Sequence, residues 1–258
     1  MKTYRLYSAI LMMALCFNFV SCGGDDDDNI INPENVTKRL VKIVDTSSDR
    51  THTYDIGYDS EGRVISIYAD KGEWFSEDIT YSGETAKLKY YNKNEGEGYE
   101  ATLTFNEQNY ITNFNSDNEW IVTGSYSNGN LTKITESYEN GKVVYDYKLN
   151  FKDGLFIDSE DVNAMTYTNI PNIANVCIDA ELFESVFEEF ALAGMAGKMY
   201  KYLPEKMILD EGGNDTSTYT YNYELDEEGY VKTVKVTFRD TKGSERSYSY
   251  KYTYENIK

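Results

Sequence analysis

Between residues 38 and 256 apolar side chains recur at every second position, in short runs interrupted by turn residues. Period two puts alternate side chains on opposite faces of a strand, whereas a helix needs a period near 3.6. Tyr145, Tyr147, Leu149 and Phe151 share one face, with Asp146, Lys148 and Asn150 on the other. Tyr219, Tyr221, Tyr223 and Leu225 repeat the pattern against Thr218, Thr220 and Asn222. So do Tyr248, Tyr250, Tyr252 and Tyr254 against Ser249, Lys251 and Thr253. Tyr and Thr favour a pleated, half-buried surface over a helix.

The interruptions follow a rule. Tyr58-Asp59-Ser60-Glu61-Gly62-Arg63-Val64, Phe105-Asn106-Glu107-Gln108-Asn109-Tyr110-Ile111 and Leu225-Asp226-Glu227-Glu228-Gly229-Tyr230-Val231 share one template. It reads apolar, Asp or Asn, two polar, Gly or Asn, any residue, aliphatic. The Asp or Asn side chain starts the turn, and Gly or Asn takes the left-handed backbone that other residues resist. Asn128-Gly129 and Asn140-Gly141 predict tight hairpins, with further turns at Ser82-Gly83, Asp153-Gly154 and Lys242-Gly243. The spacing predicts about 12–14 strands, ten from residue 38 to 151 and four from 206 to 256. Short connections make successive strands antiparallel neighbours. The expected fold class is all-β: an antiparallel meander, strongly curled or barrel-like, because so long a sheet rarely stays open and flat.

The repeated Tyr-Asp-x-x-Gly-x-aliphatic unit resembles bacterial YD-repeat proteins. The layout over about residues 38–258 resembles the DUF4595-type lipoproteins of Bacteroidetes. The matching features are the Lys38-Arg39-Leu40-Val41-Lys42-Ile43 opening, the hairpin repeats, the Asn169-to-Pro204 insertion and the closing Asp226-to-Val231 hairpin. The resemblance implies a porin-like, barrel-type fold and assigns no activity.

One segment departs from period two. Leu182, Phe183, Val186, Phe187 and Phe190 form an apolar stripe at helical spacing, with Glu181, Glu184, Ser185, Glu188 and Glu189 elsewhere. Asp179 fits an N-cap, and Gly194-Met195-Ala196-Gly197 ends the run. A helix near 180–193, within an insertion of about 170–204, is expected to plug the sheet or barrel. A free stripe of that size would promote aggregation.

The beginning of the chain reads as an address. Lys2 and Arg5 precede a mostly apolar stretch, Leu6 to Val20, which is shorter than the roughly 20 residues a spanning helix needs. Phe19-Val20-Ser21-Cys22 resembles the lipobox of bacterial lipoproteins, with Phe19 where that family usually has Leu. The resemblance implies cleavage after residue 21 and acylation of Cys22. Gly23-Gly24 and the run Asp25, Asp26, Asp27 and Asp28 resemble the acidic export signal of Bacteroidetes surface lipoproteins. The expected organisation is a signal peptide over 1–21, a lipidated Cys and acidic tether over 22–36, and one domain over 37–258. The localisation expected is the outer membrane, lipid-anchored and facing outward. A lipid-embedded barrel is disfavoured, because the face opposite the Tyr is Ser, Thr, Lys and Asp.

Charge and composition limit the chemistry. With 25 Lys+Arg against 44 Asp+Glu the net charge is −19, which repels nucleic-acid phosphates. Three Cys and one His supply no soft-ligand set, so neither a metal nor another cofactor is expected. Cys177, in an apolar stretch, reads as a buried small hydrophobe. No nucleophile elbow, phosphate loop or metalloprotease helix is present, and His52 stands alone on an early strand. Glu188-Glu189, Asp158-Ser159-Glu160-Asp161 and Asp226-Glu227-Glu228 read as turns and solvated faces. No catalytic residue is assigned. The expected role is non-catalytic binding of a glycan or an envelope partner, with Trp74 and Trp120 as the candidate ligand platforms. The rivals are a two-carboxylate carbohydrate hydrolase, which facing carboxylates with raised pKa values would favour, and a purely structural envelope component.

Overall fold

A computed structural model describes residues 36–46, 51–117, 120–138, 140–159, 162–178, 187–210 and 215–257. The leader, Cys22, Asp25 to Asp28, and residues 179–186 of the expected helix lie outside the described residues.

Sixteen antiparallel strands form one meander. The first eight are β1 (Lys38–Thr46), β2 (Thr51–Tyr58), β3 (Val64–Ala69), β4 (Phe75–Ser82), β5 (Thr85–Asn92), β6 (Glu97–Phe105), β7 (Ile111–Ser116) and β8 (Trp120–Ser127). Next come β9 (Asn130–Tyr138), β10 (Val143–Lys152), β11 (Leu155–Ser159) and β12 (Val162–Pro171). After the helix α1 (Phe187–Leu192) follow β13 (Tyr202–Asp210), β14 (Thr216–Leu225), β15 (Val231–Asp240) and β16 (Glu245–Asn256). Each strand pairs with its sequence neighbours except β11 and β12, which do not pair with each other, and β1 pairs with β16, which bends the meander into a nearly closed barrel. The seam lies between β11 and β12. There the Tyr167 hydroxyl donates to the Phe156 carbonyl at 2.8 Å, and the Val162 amide to the Ser159 hydroxyl at 3.2 Å.

The all-β meander matches the sequence reading, but 16 strands exceed the expected 12–14. The added pair is β11 and β12. β12 is an edge strand whose register with β13 shifts at three places, so its alternation is broken, and it ends on Pro171. Proline is tolerated at a sheet edge because no ladder bond is lost there.

The three templated turns share one set of bonds. In each, the first residue's Oδ1 accepts amides two and four residues on: Glu61 and Arg63 to Asp59, Gln108 and Tyr110 to Asn106, Glu228 and Tyr230 to Asp226. Gly62, Asn109 and Gly229 hold φ of 82°, 61° and 88°. Asp240 makes a fourth turn of the same kind with Ser244 and Gly243.

The Tyr faces point inward. Tyr147 and Leu149 are 1% exposed, and Tyr221 and Tyr252 are buried. Several half-buried Tyr hydroxyls donate to carbonyls of nearby strands, among them Tyr58 to Leu40 and Tyr126 to Ile111. Outward positions on β4 to β6 are Asp78, Thr80, Lys87, Lys89 and Glu100, all exposed.

The insertion enters the barrel from one end. Asn130 Nδ2 donates to the Lys198 and Met199 carbonyls, the Lys198 amide to Gly129, and the Lys201 amide to Gly154. These contacts lie at the end that carries the turns after β2, β4, β6, β8 and β10. From there α1 reaches inward, with Phe187 and Phe190 at 0% exposure and Phe190 packed on Phe114. Cys177 is buried in the same insertion.

Candidate functional site

At the other end lies a cup of half-buried aromatic and acidic side chains: Tyr54, Trp74, Tyr90, Tyr99, Glu188 and Glu189. Its wall is one cross-strand row: Ile67 faces Glu77, Glu77 faces Tyr90, and Tyr90 faces Tyr99. Glu77 lies between Phe75 and Ile79 on the inward face of β4 and is only 3% exposed. Its Oε2 has no hydrogen-bond partner. Tyr90 and Tyr99 stack 4.7 Å apart at 15°. Tyr99 meets Phe114 edge-on, and Phe114 meets Phe190 of α1. This chain of contacts brings Glu189, the residue before Phe190, towards the Glu77 wall.

Electrostatics tie the cup together. Burial, reinforced by the Glu189 charge, raises the Glu77 carboxyl well above the usual carboxylate range. Burial, with a further contribution from Glu188, raises Glu189 to about 7. Burial raises the Tyr90 and Tyr99 phenols, and both also feel Glu77 and Glu189. Burial raises Tyr54 on β2, and the charges of Asp45, Glu188, Glu189 and Asp70 add to it.

The turn after β3 supplies the rim. His52 Nδ1 lies 2.8 Å from Asp70 Oδ2, whose other oxygen accepts the Thr53 amide. The His52 ring sits 4.5 Å from the half-buried Trp74, which also meets Phe75 and Tyr54. Trp74 therefore belongs to the cup. Trp120 does not join it directly: it packs edge-on against Phe114 and donates through Nε1 to Glu136 at 3.3 Å.

The acidic clusters part company. Asp226 and Glu228 sit in a turn and pair with Lys38, and Asp158 accepts from Asn150, as turn and surface groups should. Glu160 and Asp161 lie outside the described residues. Glu188 and Glu189 depart from the expected solvated face: both are half-buried in the first turn of α1. Glu77 was absent from the sequence-derived candidates. The signal was there, since Phe75, Glu77, Ile79 and Tyr81 alternate and put a carboxylate on the apolar face.

No family model and no curated protein matches the chain in sequence. Its fold is similar to a crystal structure described as a porin-like protein from Bacteroides uniformis, with a TM-score of 0.68 at 18% identity, covering 85% of this chain and 98% of that one. A porin-like protein from Bacteroides vulgatus is similar at a TM-score of 0.59 and 17% identity, covering 84% and 99%. At that identity the likeness is one of fold.

Proposed function

We propose that this chain is a non-catalytic binding protein of the bacterial envelope, anchored by lipid on Cys22, with its barrel standing in water. The observation that carries the reading is the inverted economy of the barrel. A pore keeps an open polar interior and turns an apolar band to lipid. Here the interior is filled by Phe187, Phe190 and the inward Tyr, while Asp, Thr and Lys face outward. Such a barrel serves as a scaffold, and its acidic, aromatic cup is where a ligand would sit. The apolar stretch ending at Cys22 supports an anchor, and the Bacteroides origin of the similar folds agrees with an envelope setting.

A two-carboxylate hydrolase is the second reading, favoured by Glu77 and Glu189, whose raised protonation is what an acid–base pair requires. Against it stands the burial of Glu77, which at 3% exposure offers no face to a sugar ring. Glycosidase carboxyls must flank their substrate.

A thermal-shift screen of the purified chain against envelope and plant polysaccharides, peptidoglycan fragments and small charged molecules tests the binding reading. A ligand at a hundred times its Kd adds about 2.7 kcal/mol, a rise of a few degrees. A clean melt that no member of the panel moves would sink the reading. Separately, Cys22→Ala should release the protein from the membrane fraction, and retention there would refute the anchor.

A further inference from the structure

We propose that the cup binds the head of a slender organic cation, an alkylammonium or guanidinium group. The head sits at the Glu189 and Glu77 carboxylates, with its stem against Tyr54, Trp74 and Tyr90. The proposal rests on the binding reading above and names its ligand class.

The charges are one-sided. Glu188 lies beside Glu189 on α1, Glu77 faces it from β4, and Asp45 and Asp70 act on Tyr54 from β1 and the turn after β3. The groups facing Glu189 from β2, β5 and β6 are the phenols Tyr54, Tyr90 and Tyr99. Among the described residues no Lys or Arg contributes to the shift of either carboxyl. On the rim His52 is engaged with Asp70, and Lys93 pairs with Glu73. A buried carboxylate normally has its oxygens satisfied, yet Glu77 Oε2 has no partner. Leaving such a group unsatisfied costs about 1–3 kcal/mol or more. An incoming N–H donor supplies what is missing.

The chemistry selects among cations. A hard metal ion needs six or more oxygens, or a compact set of ligands. Among the described residues no group of three or more His, Cys, Asp or Glu is placed to hold one. An ammonium or guanidinium group brings its own directed donors, and aromatic faces stabilise it within about 6 Å. A thin alkyl stem can pass between half-buried rings where a sugar ring cannot. Binding requires ionised carboxylates, so the cation displaces a proton from the pair.

Titration calorimetry of the full chain with n-butylammonium and n-butylguanidinium, and with short peptides carrying one Lys or one Arg, tests this. Saturable binding with proton release is expected. Affinity should be about tenfold weaker at pH 6 than at pH 8, because the competent fraction falls as a group titrating near 7 is protonated. Free cations binding alone would identify a small molecule as the source, and peptides binding would identify a basic side chain. Glu189→Gln should weaken binding at least tenfold without loss of cooperative melting, and Glu77→Gln should do the same. Absence of saturable binding at pH 8, or binding that Glu189→Gln leaves unchanged, overturns the proposal. If a polysaccharide shifts the melt while every cation fails, this inference falls and the binding reading stands.

Discussion

Phe187 of the plug stands directly over Gly124 of β8: a Cβ at that glycine would lie 2.7 Å from the Phe187 Cζ and 3.0 Å from the Leu131 Cδ1. The ring takes the place of a side chain that β8 lacks, so helix and wall are fitted at one point. Gly124→Ala should therefore cost about 1–3 kcal/mol through overpacking. Phe187→Ala should cost about 3–5 kcal/mol through the cavity it leaves. The double variant should cost clearly less than the sum, since the truncated residue makes room for the methyl. Urea unfolding of the four proteins measures the coupling, and strict additivity would show that the two residues do not meet.

Glu77 and Glu189 give stability a pH dependence of definite sign. Both carboxyls titrate above the ordinary Glu value of 4.5 in the folded state, Glu189 at about 7. The folded chain thus holds protons that the unfolded chain releases, and the contribution of this pair falls as pH rises from about 4.5 through about 7. Glu77→Gln should be more stable than the parent at pH 8, by on the order of 1–3 kcal/mol, and equal to it at pH 4. Denaturation midpoints at pH 4, 6 and 8 check this.

Asn130 secures the return limb of the insertion. It is 5% exposed, and its Nδ2 serves both the Lys198 and Met199 carbonyls. Asn130→Ala removes that donor and should cost about 1–3 kcal/mol. The loss should appear first as faster amide exchange around residues 195–201, because local opening precedes global unfolding where an anchor is cut.

The turn template predicts opposite effects at equivalent positions. Gly229 has φ of 88°, with Ile173 Cδ1 only 3.2 Å from where a Cβ would lie. Gly229→Ala should destabilise by about 1 kcal/mol or more. Asn109 holds the same place with φ of 61° and already carries a side chain, so Asn109→Gly should shift the melting temperature little. Thermal melts of the two variants separate conformational strain from contact loss.

Much of this fold was legible because its turns are encoded locally. Asp59, Asn106 and Asp226 each close their loops with their own side chains, so a few residues of sequence suffice to place a hairpin. β12 was illegible for the converse reason. Its register breaks at Val162/Ala164 and twice near Tyr167 erase the alternation that marks a strand. The cup was half legible. Trp74 drew notice as a large aromatic, and Glu188-Glu189 as a charge cluster, but nothing local says that a helix 110 residues downstream will bring Glu189 to face Glu77. That meeting depends on where the insertion enters the barrel.

The start of β1 lies at the plugged end. The Tyr230 hydroxyl accepts the Thr37 and Lys38 amides there, and the Ile257 amide donates to the Thr37 carbonyl. Both ends of the described chain are thus tied off beside the plug, at the pole opposite the cup. Anything that tethers the chain upstream of Val36 pulls on the stoppered pole, like a lamp held by its base. If the proposed anchor on Cys22 holds the chain, the tether joins the pole opposite the cup and leaves the cup's end unencumbered.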